Sequence, residues 1–333
     1  MLIPTKKILM RKKDWNKQSA KVLAVAKKSY AHNKITHGDI IIAINNVPSC
    51  PNSVIYYLVR TLTGDRVPNN EGSFRPITIK LPKGSIVNCN FPAPVAVRGI
   101  TLKRVEDVVC GVMAKALPKR MTAAHSGQYT MINFVGKDLD GNRIQGHMGG
   151  PYAGGHGARS NKDGIDVTEH GATNGSPIPI EVSESKLPIL FKKSKLWTDS
   201  GGAGTWRGGL GYNSEVQWIG GDCYGSFRRD RMKFQPWGIE GGLSSPLCKT
   251  SVVKKNKSYS LPGKIDFPLS NGDLIKIHTT GSGGFGDPAK RDPNLVLEDL
   301  LNKKISNKAV KNIYKVAIKN NKIDDKETLI LRK

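Results

Sequence analysis

The sequence lacks the features of a membrane-spanning, secreted or disulfide-bonded protein. It contains no apolar run of the roughly 18 residues that a spanning helix needs, and its beginning lacks the apolar segment and cleavage site of a secretory signal. The five cysteines are scattered and never spaced Cys-x-x-Cys, which excludes a zinc ribbon and disfavours a disulfide framework. We therefore expect a cytoplasmic protein with reduced cysteines and no membrane partner.

A nucleotide-binding motif is also missing, and the basic charge is not arranged for nucleic acid. There is no Walker A loop, so no ATP site is expected in this chain. The net charge of +25 would ordinarily suggest a nucleic-acid partner. However, most of the excess is lysine spread along the whole chain, without the arginine and aromatic stripe that stacks on bases. Nucleic-acid binding is therefore disfavoured, whereas an anionic substrate or an acidic protein partner is compatible with the charge.

The spacing of apolar residues predicts an α+β fold that is rich in strands, with long glycine-rich loops and a small helical C-terminal tail. Helices are predicted at 52–61, at 102–117 and from Asp292 onward. Strands are predicted at 39–47, 77–81, 178–182, 215–219, 224–227 and 273–277, and residues 127–171 are predicted to be loop. The expected division is a lysine-rich segment at 1–44, a core domain at 45–291 and the helical tail at 292–333.

Glycine is concentrated in two clusters, at residues 199–211 and 281–288. Glycine lets the backbone bring its N–H groups close to a ligand, at an entropic cost in folding. The first cluster is therefore predicted to form an anion-binding nest for a carboxylate or phosphate, with Arg207 as a bidentate partner. In the alternative interpretation both clusters are architectural, and Arg207 forms an ordinary ion pair.

Several short motifs follow one another along the chain. The most specific are the 199–211 block, Asp230-Arg231 with Pro236-Trp237-Gly238, and the 281–288 block followed by Arg291-Asp292-Pro293. Weaker ones are Asn70-Glu71-Gly72 and Thr173-Asn174 leading to Pro179-Ile180-Glu181. In this order they resemble the hydantoinase B/oxoprolinase family, which includes the B-type component of N-methylhydantoinase, the C-terminal part of ATP-dependent 5-oxoprolinase and, more distantly, an acetone carboxylase component.

The resemblance implies ATP-dependent opening of a small cyclic amide such as N-methylhydantoin or 5-oxoproline. An actin-like ATPase (A-type) partner activates the lactam carbonyl by phosphorylation, and the B-type chain carries the hydrolytic half. ATP is therefore expected on the partner, in a homo- or hetero-oligomer. The resemblance allows a divalent metal, but the Asp- and His-containing runs that look like its ligand segment are absent. We therefore expect an N-terminally truncated B-type fragment, or alternatively a noncatalytic remnant that binds the ATPase.

Opening an amide ring requires an activated water, a group that stabilises the oxyanion and a proton for the leaving nitrogen. The candidate catalytic residues are His156, His170, Glu181 and Asp230. The candidate substrate-binding residues are Asp199, Gly201, Gly202, Gly204, Arg207, Arg231, Gly283 and Gly284. Each also has an ordinary interpretation as a loop histidine, an ion pair or a glycine turn. A metal held by His147, His156 and His170 is a further alternative, but their spacing matches no compact ligand pattern.

Overall fold

The computed structural model of the protein describes residues 45–63, 67–95, 98–128, 131–148, 153–171, 173, 175 and 178–333. The segment 1–44 lies outside these residues, and so does most of the strand predicted at 39–47. The fold class is α+β, as predicted. The chain divides into two compact units, one ending at Glu106 and the other beginning at Asp107. The predicted three-part division stays a prediction.

The first unit is mainly helical in its described part. Helix α1 (Ser49–Thr63) confirms the predicted helix and buries Val54 and Leu58. A short helix α2 (Glu71–Phe74) follows, and its Phe74 ring stacks on Tyr56 of α1 with the ring centroids 4.3 Å apart. The strand predicted at 77–81 is wrong, because this segment is irregular and leads directly into a turn.

Helix α3 (Arg98–Ala114) begins before the unit boundary and confirms the second predicted helix. Its buried residues are not its most apolar ones. Val108 and Val112 are 65% and 64% exposed, whereas Glu106 and Asp107 are buried. The helix therefore directs two acidic side chains inward, and this is the first structural indication of a site.

The second unit contains two antiparallel sheets. In the first, strands β1 (Met131–Lys137), β2 (Arg143–Met148), β5 (Cys223–Arg228) and β8 (Lys264–Leu269) lie in the order β2-β1-β5-β8. In the second, strands β3 (Ile189–Leu196), β4 (Tyr212–Trp218), β6 (Lys249–Lys254), β7 (Lys257–Ser260) and β9 (Leu274–His278) lie in the order β3-β4-β9-β6-β7. The strands predicted at 215–219, 224–227 and 273–277 are confirmed as β4, β5 and β9.

One hydrophobic core joins the two sheets. Phe134 of β1 stacks on Trp218 of β4 with ring centroids 5.1 Å apart, and both side chains are fully buried. Alternate residues of β9, Ile275 and Ile277, enter the same core, as expected for strands with one buried face. The sheets thus form a rigid frame from which the loops extend.

Two sequence predictions in this unit are wrong. Residues 127–171 are not all loop, because β1 and β2 pair there. Gly136 obscured the strand pattern in the sequence. It lies in β1 where an added Cβ would be 2.2 Å from the Cys223 Cβ of the neighbouring strand. Residues 178–182 do not form the predicted strand. Pro179 instead precedes helix α4 (Ile180–Lys186), a position at which the missing N–H of proline costs no helical hydrogen bond.

The C-terminal part contains three further helices and a small hairpin. Helix α5 (Pro293–Leu301) begins as predicted, with Asp292 accepting a hydrogen bond from the Asn294 N–H at 2.8 Å. It is followed by α6 (Asn307–Asn312), β10 (Ile318–Lys319), β11 (Lys322–Ile323) and α7 (Asp325–Arg332). Ala203, from the first glycine cluster, packs among the buried residues of these helices.

Within the part of the chain that the structure describes, none of the helices combines the length and apolarity needed to cross a bilayer.

Candidate functional site

Both glycine clusters belong to one layer of tightly packed backbone segments, which we call the glycine layer. It consists of residues 122–126, 153–158, 200–211, 236–243 and 279–286. Backbone lies directly against backbone here. A Cβ added at Gly208 would be 2.1 Å from the Ser282 carbonyl oxygen, and a Cβ added at Gly283 would be 1.9 Å from the Trp237 carbonyl oxygen. These positions therefore accept only glycine without a shift of the neighbouring chain.

Several N–H groups of the glycine layer bind carbonyl groups of the protein itself. Gly202 donates to Ser282 at 2.8 Å, Gly283 donates to Ala124 at 2.9 Å and Gly284 donates to Leu243 at 3.0 Å. These donors are already satisfied, so the contacts favour the architectural interpretation over an anion nest. A substrate-binding role for Gly201, Gly202, Gly204, Gly283 and Gly284 stays a prediction.

Arg207 is directed into the protein and belongs to a buried ion network. Its guanidinium is 2% exposed; Nε contacts Asp299 at 3.2 Å and Nη1 contacts Asp166 at 3.0 Å. Arg291, 1% exposed, binds the same Asp299 at 2.8 Å and also Asp163 at 2.7 Å. Burial opposes the charge on Arg207, but the neighbouring carboxylates outweigh it and raise the pKa of the guanidinium. These contacts join the glycine layer to helix α5, and the predicted substrate contact of Arg207 stays a prediction.

Three histidines meet at the edge of the glycine layer. The ring of His125 lies 4.0 Å from that of His156 and 4.7 Å from that of His170, between centroids, and both contacts are edge-on. His125 and His170 are 3% and 4% exposed, and His156 is partly buried. The structure thus brings together His156 and His170, both predicted as catalytic, and adds His125 between them. We call these three residues the histidine cluster.

Two charged residues hold the backbone of His125 in place. The His125 N–H donates to Asp107 Oδ1 at 3.1 Å, and the His125 carbonyl accepts from Arg231 Nη2 at 2.8 Å. The two side chains also form a buried ion pair with each other. Arg231 has φ of +57°, a left-handed conformation that is uncommon for this residue type. Arg231, which was predicted to bind substrate, is therefore seen here positioning His125.

Gly157 forms a hydrogen bond with each of two cluster rings. Its N–H donates to His125 Nδ1 at 3.0 Å, and its carbonyl oxygen lies 3.2 Å from His156 Nδ1. A side chain at this position is excluded, because a Cβ would be 1.8 Å from the Ala123 carbonyl oxygen. Burial lowers the pKa of His156 from 6.5 to about 4, and the charges of Arg159 and Lys162 act in the same direction. His156 is therefore neutral at neutral pH.

Two rings of the histidine cluster, His125 and His170, are possible metal ligands within the second unit. Each offers one ligand atom, and these atoms lie within 4.8 Å of one another. Imidazole nitrogens are ligands that zinc accepts. However, a metal on His125 Nε2 requires a proton on Nδ1, and that proton would face the Gly157 N–H. A metal on Nδ1 would displace the Gly157 bond. The residues present therefore do not fit a metal bound through His125.

The remaining predicted residues lie apart from the histidine cluster or contribute through their backbone. Asp199 is exposed, and its carboxylate accepts from the Ser306 N–H at the start of α6 at 2.8 Å. Glu181 is exposed on the first turn of α4. Asp230 lies beside Arg231, and its carbonyl accepts from Gln128 Nε2 at 2.8 Å. His147, an alternative metal ligand, is exposed on β2. Catalytic roles for Glu181 and Asp230 stay predictions.

Sequence reasoning missed His125 and Asp107. The signal for Asp107 was available, because Glu106 and Asp107 interrupt the apolar run at 105–109. His125 carried no such signal. It lies in a short stretch between small residues, and its importance comes only from its contacts with residues distant in sequence.

Comparison with known proteins agrees with this architecture. The profile of the hydantoinase B/oxoprolinase family matches residues 34–288. An uncharacterized protein of Methanocaldococcus jannaschii is 36% identical over 284 residues, covering 85% of this chain and 49% of the relative. A protein of a Pseudomonas strain, provisionally named as the B component of a D-/L-hydantoinase, is 30% identical over 288 residues, covering 84% of this chain and 48% of the relative.

A solved structure shares the fold. The ATP-dependent caprolactamase of Pseudomonas jessenii superimposes with a TM-score of 0.74 at 24% identity, over 87% of this chain and 52% of that one. The chain spans about half the length of the curated relatives that it matches. With three quarters of its residues under the family profile and the same fold, the chain belongs to the hydantoinase B/oxoprolinase family.

Proposed function

We propose that this chain is the C-terminal portion of the hydrolytic, B-type half of an ATP-dependent cyclic amidase. Its substrate is a small lactam of the size of 5-oxoproline or N-methylhydantoin. The observation that carries the proposal is the histidine cluster, in which three rings from separate segments converge inside the family-matched region. Such a cluster supplies the proton-transfer groups that amide hydrolysis needs.

The relatives support the reaction class. The caprolactamase that shares the fold is ATP-dependent and acts on a cyclic amide by its name, and the Pseudomonas relative is named as part of a hydantoinase. A lactam is a poor electrophile, so coupling to ATP on a partner would activate the carbonyl before water attacks it. We propose an actin-like A-type ATPase as that partner, since this sequence has no nucleotide motif of its own.

The contacts around the histidine cluster hold its backbone segments in fixed positions. Asp107 and Arg231 fix the backbone of His125, and the glycine layer fixes the segments that carry His125 and His156. Groups held in this way lose little entropy when the reaction occurs, which is the source of most proximity effects. The proposed chemistry therefore depends on the integrity of the glycine layer as well as on the histidines.

The test is ATP-dependent ring opening of 5-oxoproline and N-methylhydantoin. The purified chain is assayed alone, with its cognate ATPase, and with the ATPase and a separately produced N-terminal half of the B-type protein. Ring-opened product together with phosphate release in a mixture that requires this chain supports the proposal. A folded chain that binds the ATPase but adds no product in any mixture overturns it and favours a noncatalytic remnant.

A further inference from the structure

We propose that Gly157 sets opposite tautomers on two neighbouring histidines, so that His125 acts as a hydrogen-bond donor and His156 as a proton acceptor in a hydrolytic pair. This inference rests on the proposed function for its reaction, but the tautomers themselves follow from the geometry alone. The pair lies entirely within the second unit.

The tautomer of His125 follows from the direction of its hydrogen bonds. The Gly157 N–H donates to Nδ1 at 3.0 Å, so Nδ1 carries the lone pair and a neutral ring must carry its proton on Nε2. Thr122 Oγ1 lies 3.3 Å from Nε2, and as a hydroxyl it can accept a hydrogen bond from this N–H until a reacting oxygen takes its place. His125 therefore presents an N–H.

The tautomer of His156 is the reverse. Its Nδ1 lies 3.2 Å from the Gly157 carbonyl oxygen, which can only accept, so Nδ1 carries the proton. In the neutral ring Nε2 then carries the lone pair. His156 therefore carries an acceptor on Nε2, in a ring whose centroid lies 4.0 Å from that of His125.

A donor next to an acceptor is what the hydrolysis of an amide requires. On the phosphorylated lactam, His156 Nε2 takes one proton from water while the water oxygen bonds to the acyl carbon, and the His125 Nε2–H donates a hydrogen bond to that oxygen and keeps its proton. When the carbon–nitrogen bond breaks, the His156 imidazolium returns its proton to the leaving nitrogen, and the new hydroxyl group loses its proton to solvent, which leaves an acyl phosphate. A second water then replaces phosphate at the acyl carbon, so that the products are the acid, the amine and inorganic phosphate.

The same tautomers distinguish this pair from a metal site. A histidine that ligates a metal through Nε2 donates its Nδ1 proton to an acceptor. His125 has a donor, the Gly157 N–H, at that place. We therefore expect that zinc or manganese added to this chain leaves the His125 ring signals unchanged.

The first test reads the tautomers without any activity. Imidazole ¹⁵N shifts of the full chain, assigned with single histidine variants, should show His125 protonated on Nε2 and His156 protonated on Nδ1 at pH 7. The reverse assignment of either ring overturns the inference. So does a shift of the His125 signals when one equivalent of Zn²⁺ or Mn²⁺ is added.

The second test separates the chemistry from the packing. In H156N the amide nitrogen can still donate to the Gly157 carbonyl, and in H125N the amide oxygen can still accept from the Gly157 N–H. Each variant should therefore fold but lower kcat by about 100-fold with little change in KM. The matched control is H278N, which alters a half-buried histidine on β9 that packs on Trp197 outside the cluster. It should retain activity within about twofold.

The outcomes separate the two proposals. An active wild-type mixture with H156N or H125N near wild-type kcat overturns the proposed roles and leaves the proposed function standing. A wild-type chain without ring opening in any mixture overturns the proposed function and the hydrolytic roles together. In that case the ¹⁵N shifts alone decide the tautomers.

Discussion

Asp299 is the residue whose replacement tests the buried ion network most directly. Its carboxylate, 7% exposed, accepts from Arg207 at 3.2 Å and from Arg291 at 2.8 Å. Both guanidinium groups are almost fully buried, so neither can turn to solvent when the carboxylate is lost. The substitution Asp299→Asn keeps the volume of the side chain, removes the negative charge and leaves one acceptor oxygen in place of two.

The expected cost follows from the burial of the two cations. Removing one partner of a buried ion pair destabilises a protein by about 3 to 5 kcal/mol, because the remaining charge is left uncompensated. Asp163 and Asp166 still offset part of the charge on the two arginines, so we expect the lower end, about 3 kcal/mol. With a urea m-value of about 3 kcal/mol per M, the unfolding midpoint should fall by about 1 M.

Urea unfolding followed by tryptophan fluorescence measures this change, with Glu215→Gln as the matched control. Glu215 also forms one carboxylate ion pair, to Lys193 at 3.1 Å, but the two side chains are 23% and 34% exposed. Such a pair contributes about 0 to 1 kcal/mol. If Asp299→Asn lowers the free energy of unfolding by no more than Glu215→Gln does, the buried ion network does not stabilise the fold. The predicted substrate-binding role of Arg207 then regains support.

Further predictions concern acid, glycine and the core. Because burial lowers the pKa of His156 from 6.5 to about 4, the unfolded chain binds a proton that the folded chain does not; stability should fall by about 3 kcal/mol between pH 7 and pH 4 from this residue. Urea midpoints of wild type and H156N at both pH values measure it, and an unchanged pH dependence in the variant contradicts it. Gly208→Ala should abolish folding or lower the free energy of unfolding by several kcal/mol, since its Cβ would be 2.1 Å from a carbonyl oxygen. Gly99→Ala, with open space in α3, should be neutral or stabilising by up to about 1 kcal/mol. Equal effects of the two substitutions in thermal unfolding would refute this prediction. Phe134→Ala should lower the free energy of unfolding by about 3 to 5 kcal/mol, and a loss under 1 kcal/mol would mean that the two sheets do not share a core.

The elements predicted correctly from sequence are those whose pattern is local. Helix α1 and helix α5 have clear periodicity or a cap, and strands β4 and β9 alternate between buried and less buried positions. The prediction failed where a local pattern had two physical meanings. Residues 178–182 were predicted as a strand, but Pro179 precedes a helix, and the glycine of β1 suggested a loop but faces a neighbouring strand.

The candidate site was predicted in part. His156 and His170 were recognised from their loop positions, and the structure places both in the histidine cluster. The glycine clusters were recognised as unusual, yet several of their N–H groups bind carbonyls of the protein itself. Sequence alone could not distinguish these cases, because a glycine that approaches a ligand and a glycine that approaches another backbone satisfy the same steric requirement.

The sequence by itself determined the family, the α+β class and the positions at which glycine is required, since motif order, periodicity and composition are properties of the chain. Only the tertiary structure decided which residues share a site. His125 becomes part of the histidine cluster through Asp107, Gly157 and Arg231, which are separated from it by 18, 32 and 106 residues. Such contacts depend on how the sheets and the glycine layer bring distant segments together, and hydrogen-bond direction, which sets the tautomers, exists only once those segments have packed.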